Sequence, residues 1–191
     1  MIRNTTSRAF FDALYESSPD PWSFASSSYE LGRYERILQA LPRSRYKRAF
    51  EPGCSIGVLT ERLALICDEV EAMEISCIAV DRARQRCSTQ TNVHIVCASM
   101  PDQMPTGEFD LVIFSEIGYY FAESQLVSLV DKLITQMSSG GTFLAVHWLG
   151  SSPDHLLSGD QVHQVISNIK KLSLEHSERH ADFRLDRWVR L

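Results

Sequence analysis

Within the seven residues Glu51-Pro52-Gly53-Cys54-Ser55-Ile56-Gly57 the chain places one carboxylate and two glycines between an apolar run and an amphipathic stretch. That spacing suits a ligand cradle. Gly53 lets the backbone approach a ligand or take a positive φ, and Gly57 keeps the first helical turn free of a Cβ. Glu51 selects the ligand's charge: it would repel a pyrophosphate and attract an α-ammonium and a sulfonium. The pattern Glu-x-Gly-x-x-x-Gly also lacks the third glycine of the dinucleotide fingerprint, so S-adenosylmethionine is favoured over NAD. Glu74, at the end of the next apolar segment, suits two hydrogen bonds to ribose hydroxyls. Cys54 is expected to be a small residue that fits the turn, not a nucleophile.

The elements around these residues alternate. Strands are expected near 48–52, 69–75, 92–97, 109–115 and 141–148, and helices over 57–67, 76–88 and 123–137, which implies a parallel sheet wrapped by helices. Gly140-Gly141 reads as a helix stop. A helix over 159–171 and two alternating segments at 172–179 and 183–190 give an antiparallel hairpin at the sheet edge. Residues 1–47 carry many aromatics and a serine run at 26–28, and read as a helical cap or lid. In its second helix, 29–41, Ile37, Leu38 and Leu41 form the apolar face and Arg33 and Arg36 lie off it. The chain is thus read as one α/β domain over 1–191, with a cap (1–47), a cofactor-binding core (48–150) and a C-terminal helix with edge strands (151–191).

The 50–60 segment resembles motif I of the class I S-adenosylmethionine-dependent methyltransferases, a Rossmann-like α/β fold with a mostly parallel seven-stranded sheet. Asp20-Pro21-Trp22-Ser23-Phe24, Ser28-Tyr29-Glu30-x-x-Arg33-Tyr34 and Phe114-Ser115-Glu116-Ile117-Gly118-Tyr119-Tyr120 extend the likeness to the nodulation protein S family. The resemblance implies N-methylation of the free amine on the non-reducing glucosamine of a deacetylated chitooligosaccharide, in nodulation-factor synthesis. It also implies a site. Trp22, Arg33, Tyr34, Glu51, Gly53, Cys54, Gly57, Glu74, Ser99, Met100 and Ser115 are expected on the cofactor, with Ser99-Met100 standing where the family commonly has an Asp and an apolar residue. Glu116, Tyr119 and His147 are the catalytic candidates, Glu116 as the group that orients or deprotonates an amine. Tyr29, Tyr120 and Trp148 are expected on the sugar. Another N, O or S acceptor, or a sensor that binds the cofactor without turnover, remains as the alternative.

Composition narrows the partners. The 191 residues carry a net charge of −5, which disfavours a nucleic-acid partner. No apolar run reaches the roughly 20 residues of a membrane span, and the first eight residues lack a secretory core, so a cytoplasmic setting is expected. The five cysteines are scattered and expected to be reduced, and His94, His155, His163, His176 and His180 lack metal-ligand spacing.

Overall fold

The computed structural model describes residues 7–191; the first six residues of the expected cap, with most of the segment read for a secretory core, lie outside the described residues. Two helices come first, α1 (Arg8–Ser17) and α2 (Ser28–Ala40). The alternating part follows: β1 (Tyr46–Pro52), α3 (Val58–Leu63), β2 (Cys67–Glu74), α4 (Cys77–Arg86), β3 (Val93–Cys97) and β4 (Phe109–Ser115). A 3-10 turn (Gly118–Tyr120), α5 (Glu123–Thr135), β5 (Met137–Trp148), α6 (Gly159–Ser167), β6 (Leu172–Arg179) and β7 (Phe183–Arg190) complete the chain.

Periodicity explains the layers. Along β4, Leu111 and Ile113 join the core beneath α2 and α3, whereas Val112 and Phe114 join the core beneath α5 and α6. All four are fully buried, as expected of a central strand covered on both faces. In α5, Leu126, Leu129, Val130, Leu133 and Ile134 recur at helical spacing and bury one stripe against the sheet. Ser76 caps α4 by accepting the Ala79 N–H, which fixes where β2 gives way to helix.

The sheet order is β3-β2-β1-β4-β5-β7-β6. β1 to β5 run parallel, and β7 inserts antiparallel between β5 and β6. The expected C-terminal hairpin therefore forms, with β6 rather than β7 at the edge.

Several expectations are corrected. Gly140-Gly141 does not stop a helix: α5 ends at Thr135, and the two glycines lie inside β5 where its pairing with β4 shifts between Phe109 and Leu111. Gly140 has φ +73°, which a bulge there requires and glycine adopts freely. The helix expected over 57–67 ends at Leu63, because β2 already begins at Cys67. The helix expected over 159–171 ends at Ser167, and Asn168 caps it. Arg33 faces inward, 2% exposed, beside Tyr34 and Ile37. The cysteines are not all free thiols: Cys77 and Cys97 form a disulfide linking α4 to the end of β3, while Cys54, Cys67 and Cys87 are free and buried. No helix of the described residues is long and apolar enough to cross a membrane.

Candidate active site

In an open α/β sheet a ligand lies beyond the carboxyl ends of the strands, where the strand order reverses. Here that point is between β1 and β4. A cavity of about 840 Å³ opens there, lined by the β1–α3 turn, the ends of β2 to β5, α1, α2 and the 149–158 loop. A recess of about 30 Å³ shares Phe24, Arg33, Gly53, Ser55, Ser115 and Glu116 with it.

The turn is held in a strained but heavily bonded form. Gly53, Ser55 and Gly57 take φ of +76°, +51° and +79°. Gly53 and Cys54 donate their N–H groups to Met73 O at 2.7 and 3.0 Å, and Ser55 N–H donates to Glu74 Oε2 at 3.1 Å. Ser55 Oγ and Tyr15 Oη share a hydrogen bond of 2.6 Å, tying α1 to the turn. A Cβ on Gly53 would collide with Ile117 Cγ2. Gly53→Ala is therefore expected to destabilise the protein by about 1–3 kcal/mol, read as a lowered urea midpoint.

Gly57 departs from its expected cofactor role. It lines neither cavity nor recess, and a Cβ there would lie 3.0 Å from Ala83 Cα, so this glycine permits close packing of α3 on α4. Cys54, Tyr34 and Glu51 line the recess only. Burial pushes the Cys54 thiol well above its ordinary range, which leaves it a neutral small side chain.

Glu51 is 3% exposed and accepts the Thr60 hydroxyl at 2.6 Å. Burial pushes its carboxyl up to about 8, the Thr60 hydrogen bond opposing this and Glu74 adding to it. Below the unfolded value, about 4.3, the group is neutral in both states and its contribution to stability is complete. That contribution is lost progressively as the pH rises from about 4.3 through about 8, because the unfolded chain releases a proton that the buried carboxyl keeps. Glu51→Gln, which keeps the Thr60 acceptor, is expected to match the wild type in stability at pH 4. At pH 9 it should exceed it by roughly 3–5 kcal/mol, each decade of displaced proton affinity being about 1.4 kcal/mol. Urea midpoints across that range check it; a constant gap would contradict it.

Glu74, 7% exposed, lines the cavity and accepts N–H groups from Ser55 and Ser76. Burial raises its pKa, opposed by those backbone donors. Ser99 and Met100 border the cavity next to Glu74 and Ile75, with Ser99 Oγ bonded to Gln103 Oε1 at 3.2 Å. Trp22 lines the cavity too, stacked on Phe24 and edge-on to Tyr15. Its loop is pinned by Asp20, whose carboxylate accepts the Phe24 and Ala25 N–H groups at 2.8 Å each.

At the mouth of β4 the chain bends sharply, with Glu116 at φ +58°. Its carboxylate accepts from Arg33 Nη1 at 2.7 Å, from the Trp148 N–H at 2.8 Å and from the Tyr119 hydroxyl. Arg33 also donates to Glu30, so α2 and β4 are joined by an acid–base–acid chain facing the cavity. Burial opposes the charge on Arg33, but Glu116 and Glu30 more than offset it. Burial pushes the Glu30 carboxyl up to about 7, against the pull of Arg33. Three of the roughly four lone-pair positions of Glu116 are engaged, which leaves it an orienting acceptor with little capacity as a free base.

Tyr119 is neutral, because burial first and Glu116 next hold its hydroxyl far above the ordinary range. Tyr29, Tyr120, Ser115 and Trp148 all line the cavity, as expected of residues at strand ends or on the cap. His147 does not. It is fully buried behind the site, accepting the Gly118 N–H on Nε2 at 3.0 Å and meeting His163 through Nδ1 at 3.2 Å. Burial, then His163, holds it well below the usual imidazole range. Its place is structural support for the 3-10 turn, not contact with a ligand.

Sequence reasoning missed Tyr15, Glu30, Ser55, Asp154 and His155 as cavity residues. Glu30 had a signal, standing three residues before Arg33 on one helix. Asp154-His155 sits in a loop after β5 with no periodic pattern to mark it.

A seven-stranded sheet of this order, with a glycine turn after β1 and acids ending β2 and following β4, defines the class I methyltransferase fold. A family model described as Nodulation protein S (NodS) matches residues 14–165. The chain belongs to the nodulation protein S family. Nodulation protein S of Bradyrhizobium diazoefficiens is 26% identical over 139 residues, covering 72% of this chain and 65% of that one. The chain spans between about half and two thirds of the length of the curated relatives it matches. A Pseudomonas syringae protein assigned as a methyltransferase is 36% identical, with a TM-score of 0.77 over 86% of this chain and 100% of that one. The N-methyltransferase NodS from Bradyrhizobium japonicum WM9, in complex with S-adenosyl-L-homocysteine, has a TM-score of 0.81 at 20% identity, over 94% and 99% of the two chains.

Proposed function

We propose that the protein is an S-adenosylmethionine-dependent N-methyltransferase acting on the free amine of the non-reducing glucosamine of a deacetylated chitooligosaccharide. The observation that carries this reading is the acid-lined cavity at the β1–β4 reversal, in a chain of the nodulation protein S family. The residues fit the cofactor. Gly53 brings bare backbone to the cavity wall, Glu74 offers a buried carboxylate for ribose hydroxyls, and Ile75 and Met100, with Ser99 beside them, offer apolar surface for a purine. The chain Glu30–Arg33–Glu116 sets a guanidinium between two acids, which suits the zwitterionic amino-acid end of the cofactor.

When bound, S-adenosylmethionine supplies a methyl group already activated by its sulfonium. The chain's own residues have the remaining tasks of alignment and water exclusion. Glu116, fixed by Arg33, Tyr119 and the Trp148 N–H, keeps one acceptor position for an incoming amine. Trp148, Tyr29 and Tyr120 offer aromatic faces to the C–H faces of sugar rings. Trp22 and Phe24 on the cap exclude water. Holding the amine about 3–3.5 Å from its target can contribute roughly 7–11 kcal/mol. This reading treats the chain as one catalytic unit with α1 and α2 as its cap, and sets it in the cytoplasm.

Product mass tests it. With S-adenosylmethionine, a chitooligosaccharide lacking the terminal N-acetyl group should gain one methyl, and the fully acetylated oligomer none. Absence of any gain on both, with cofactor binding intact, would move the acceptor to another amine, oxygen or sulfur nucleophile, or leave a sensor.

A further inference from the structure

Amine methylation needs a proton acceptor, and the residues nearest the expected role are poorly suited to it. Glu116 is engaged by three donors, Tyr119 holds its own proton, and His147 lies outside the cavity. His155 has none of these limits. It lines the cavity from the loop after β5, and that loop is pinned in place by the Leu156 N–H donating to Tyr119 O at 2.7 Å and the His155 N–H donating to Ser152 O at 3.1 Å.

The ring is held on several sides. Tyr119 stacks on it, centroids 3.7 Å apart and planes 17° from parallel, and Tyr120 meets it edge-on at 5.3 Å. Trp148 stands edge-on at 6.2 Å. The Nδ1 atom is buried with no partner, and among the described residues the ring makes no side-chain hydrogen bond. An imidazole packed this way keeps its orientation while one nitrogen stays free for a ligand.

We propose that His155 is the general base of the reaction, its Nε2 taking the proton of the acceptor's ammonium. This rests on the amine-acceptor reading above. In the balanced step, the ammonium gives one proton to Nε2 and keeps the freed electron pair on nitrogen. That pair forms the N–C bond as the methyl's C–S bond breaks, so the positive charge passes from sulfur to the methylated nitrogen. The imidazolium then returns its proton to water, its charge meanwhile facing the Tyr119 ring. The groups facing the ring are Asp154 on its own loop, Glu116 after β4, Tyr119 and Tyr120 on the 3-10 turn and His147 on β5. Burial lowers the imidazole's pKa and the two carboxylates oppose this, so the neutral, accepting form is present at pH 7.

The test uses His155→Ala and His155→Gln in the full chain. Both are expected to lower kcat by about 100-fold or more, with KM for the acceptor and S-adenosylhomocysteine affinity within about threefold of wild type, as general-base loss spares binding. Free imidazole should restore part of the His155→Ala rate, which a packing defect would not allow. The wild-type acid limb of kcat should track the His155 titration followed by NMR, and vanish in both variants. Wild-type turnover in His155→Gln with an unchanged pH profile would overturn the proposal alone. A wild-type protein that methylates no amine would overturn it together with the reading it rests on.

Discussion

Glu116→Ala is expected to destabilise the protein by about 3–5 kcal/mol and to abolish amine methylation. The substitution removes the acceptor of three groups at once: Arg33 Nη1, the Trp148 N–H and the Tyr119 hydroxyl. Arg33 is 2% exposed, so half of its charge compensation disappears in a place water does not reach. Removing one partner of a buried pair is costlier than never having built it. Glu116→Gln separates the two effects. Its oxygen can still accept the two donors that share Oε1, Arg33 Nη1 and the Trp148 N–H, but it carries no charge to offset the guanidinium, so it should lose about half as much stability while its turnover falls nearly as far. Urea midpoints for the three proteins check the stability, and product mass checks turnover. A loss below about 1 kcal/mol for the alanine variant would mean that the network contributes little.

The second large effect is expected on binding. Glu74→Ala should raise the dissociation constant of S-adenosylhomocysteine by about 100-fold, two charge-assisted hydrogen bonds being worth roughly 1.5–3 kcal/mol each before reorganisation. Some of that loss comes through the protein itself, because the same carboxylate accepts the Ser55 and Ser76 N–H groups and so holds the glycine turn against α4. Calorimetric titration measures it. Glu74→Gln should fall between, since an amide offers one acceptor oxygen where the carboxylate offers two. An unchanged affinity in Glu74→Ala would remove the ribose assignment.

The alternation of apolar runs and helical stretches was enough to foresee the central sheet. β4, β6 and β7 occupy the expected residues because their flanks carry charges or turn formers, whereas α3 ends before its expected limit because Ala64, Leu65 and Ile66 continue an apolar pattern with no breaker to mark the end. The glycine pair at 140–141 misled because a C-cap and a bulge call for the same residue in the same left-handed conformation. Only pairing with β4 distinguishes them, and that is a long-range fact.

Much of the candidate site was legible as well, since Gly53, Glu74, Ser115 and Glu116 stand where strands end. What the sequence concealed were conformations and pairings. Ser55 and Glu116 adopt positive φ although neither residue type announces it, and each is held there by partners remote in sequence: Tyr15 for the first, Arg33 and Trp148 for the second. Arg33 is expected off the apolar face of its helix, yet it is buried; Glu30 and Glu116 supply the compensation that lets it turn inward. Cys77 and Cys97 meet only because the crossover through α4 brings the start of that helix beside the end of β3.

The most direct test of the cofactor site is a crystal structure of the complex with S-adenosylhomocysteine. The ribose hydroxyls are expected on the Glu74 carboxylate, the purine between Ile75 and Met100, and the amino-acid end over Gly53 toward Arg33 and Glu116. Ligand density elsewhere in the molecule, or none at saturating concentration, would contradict this placement.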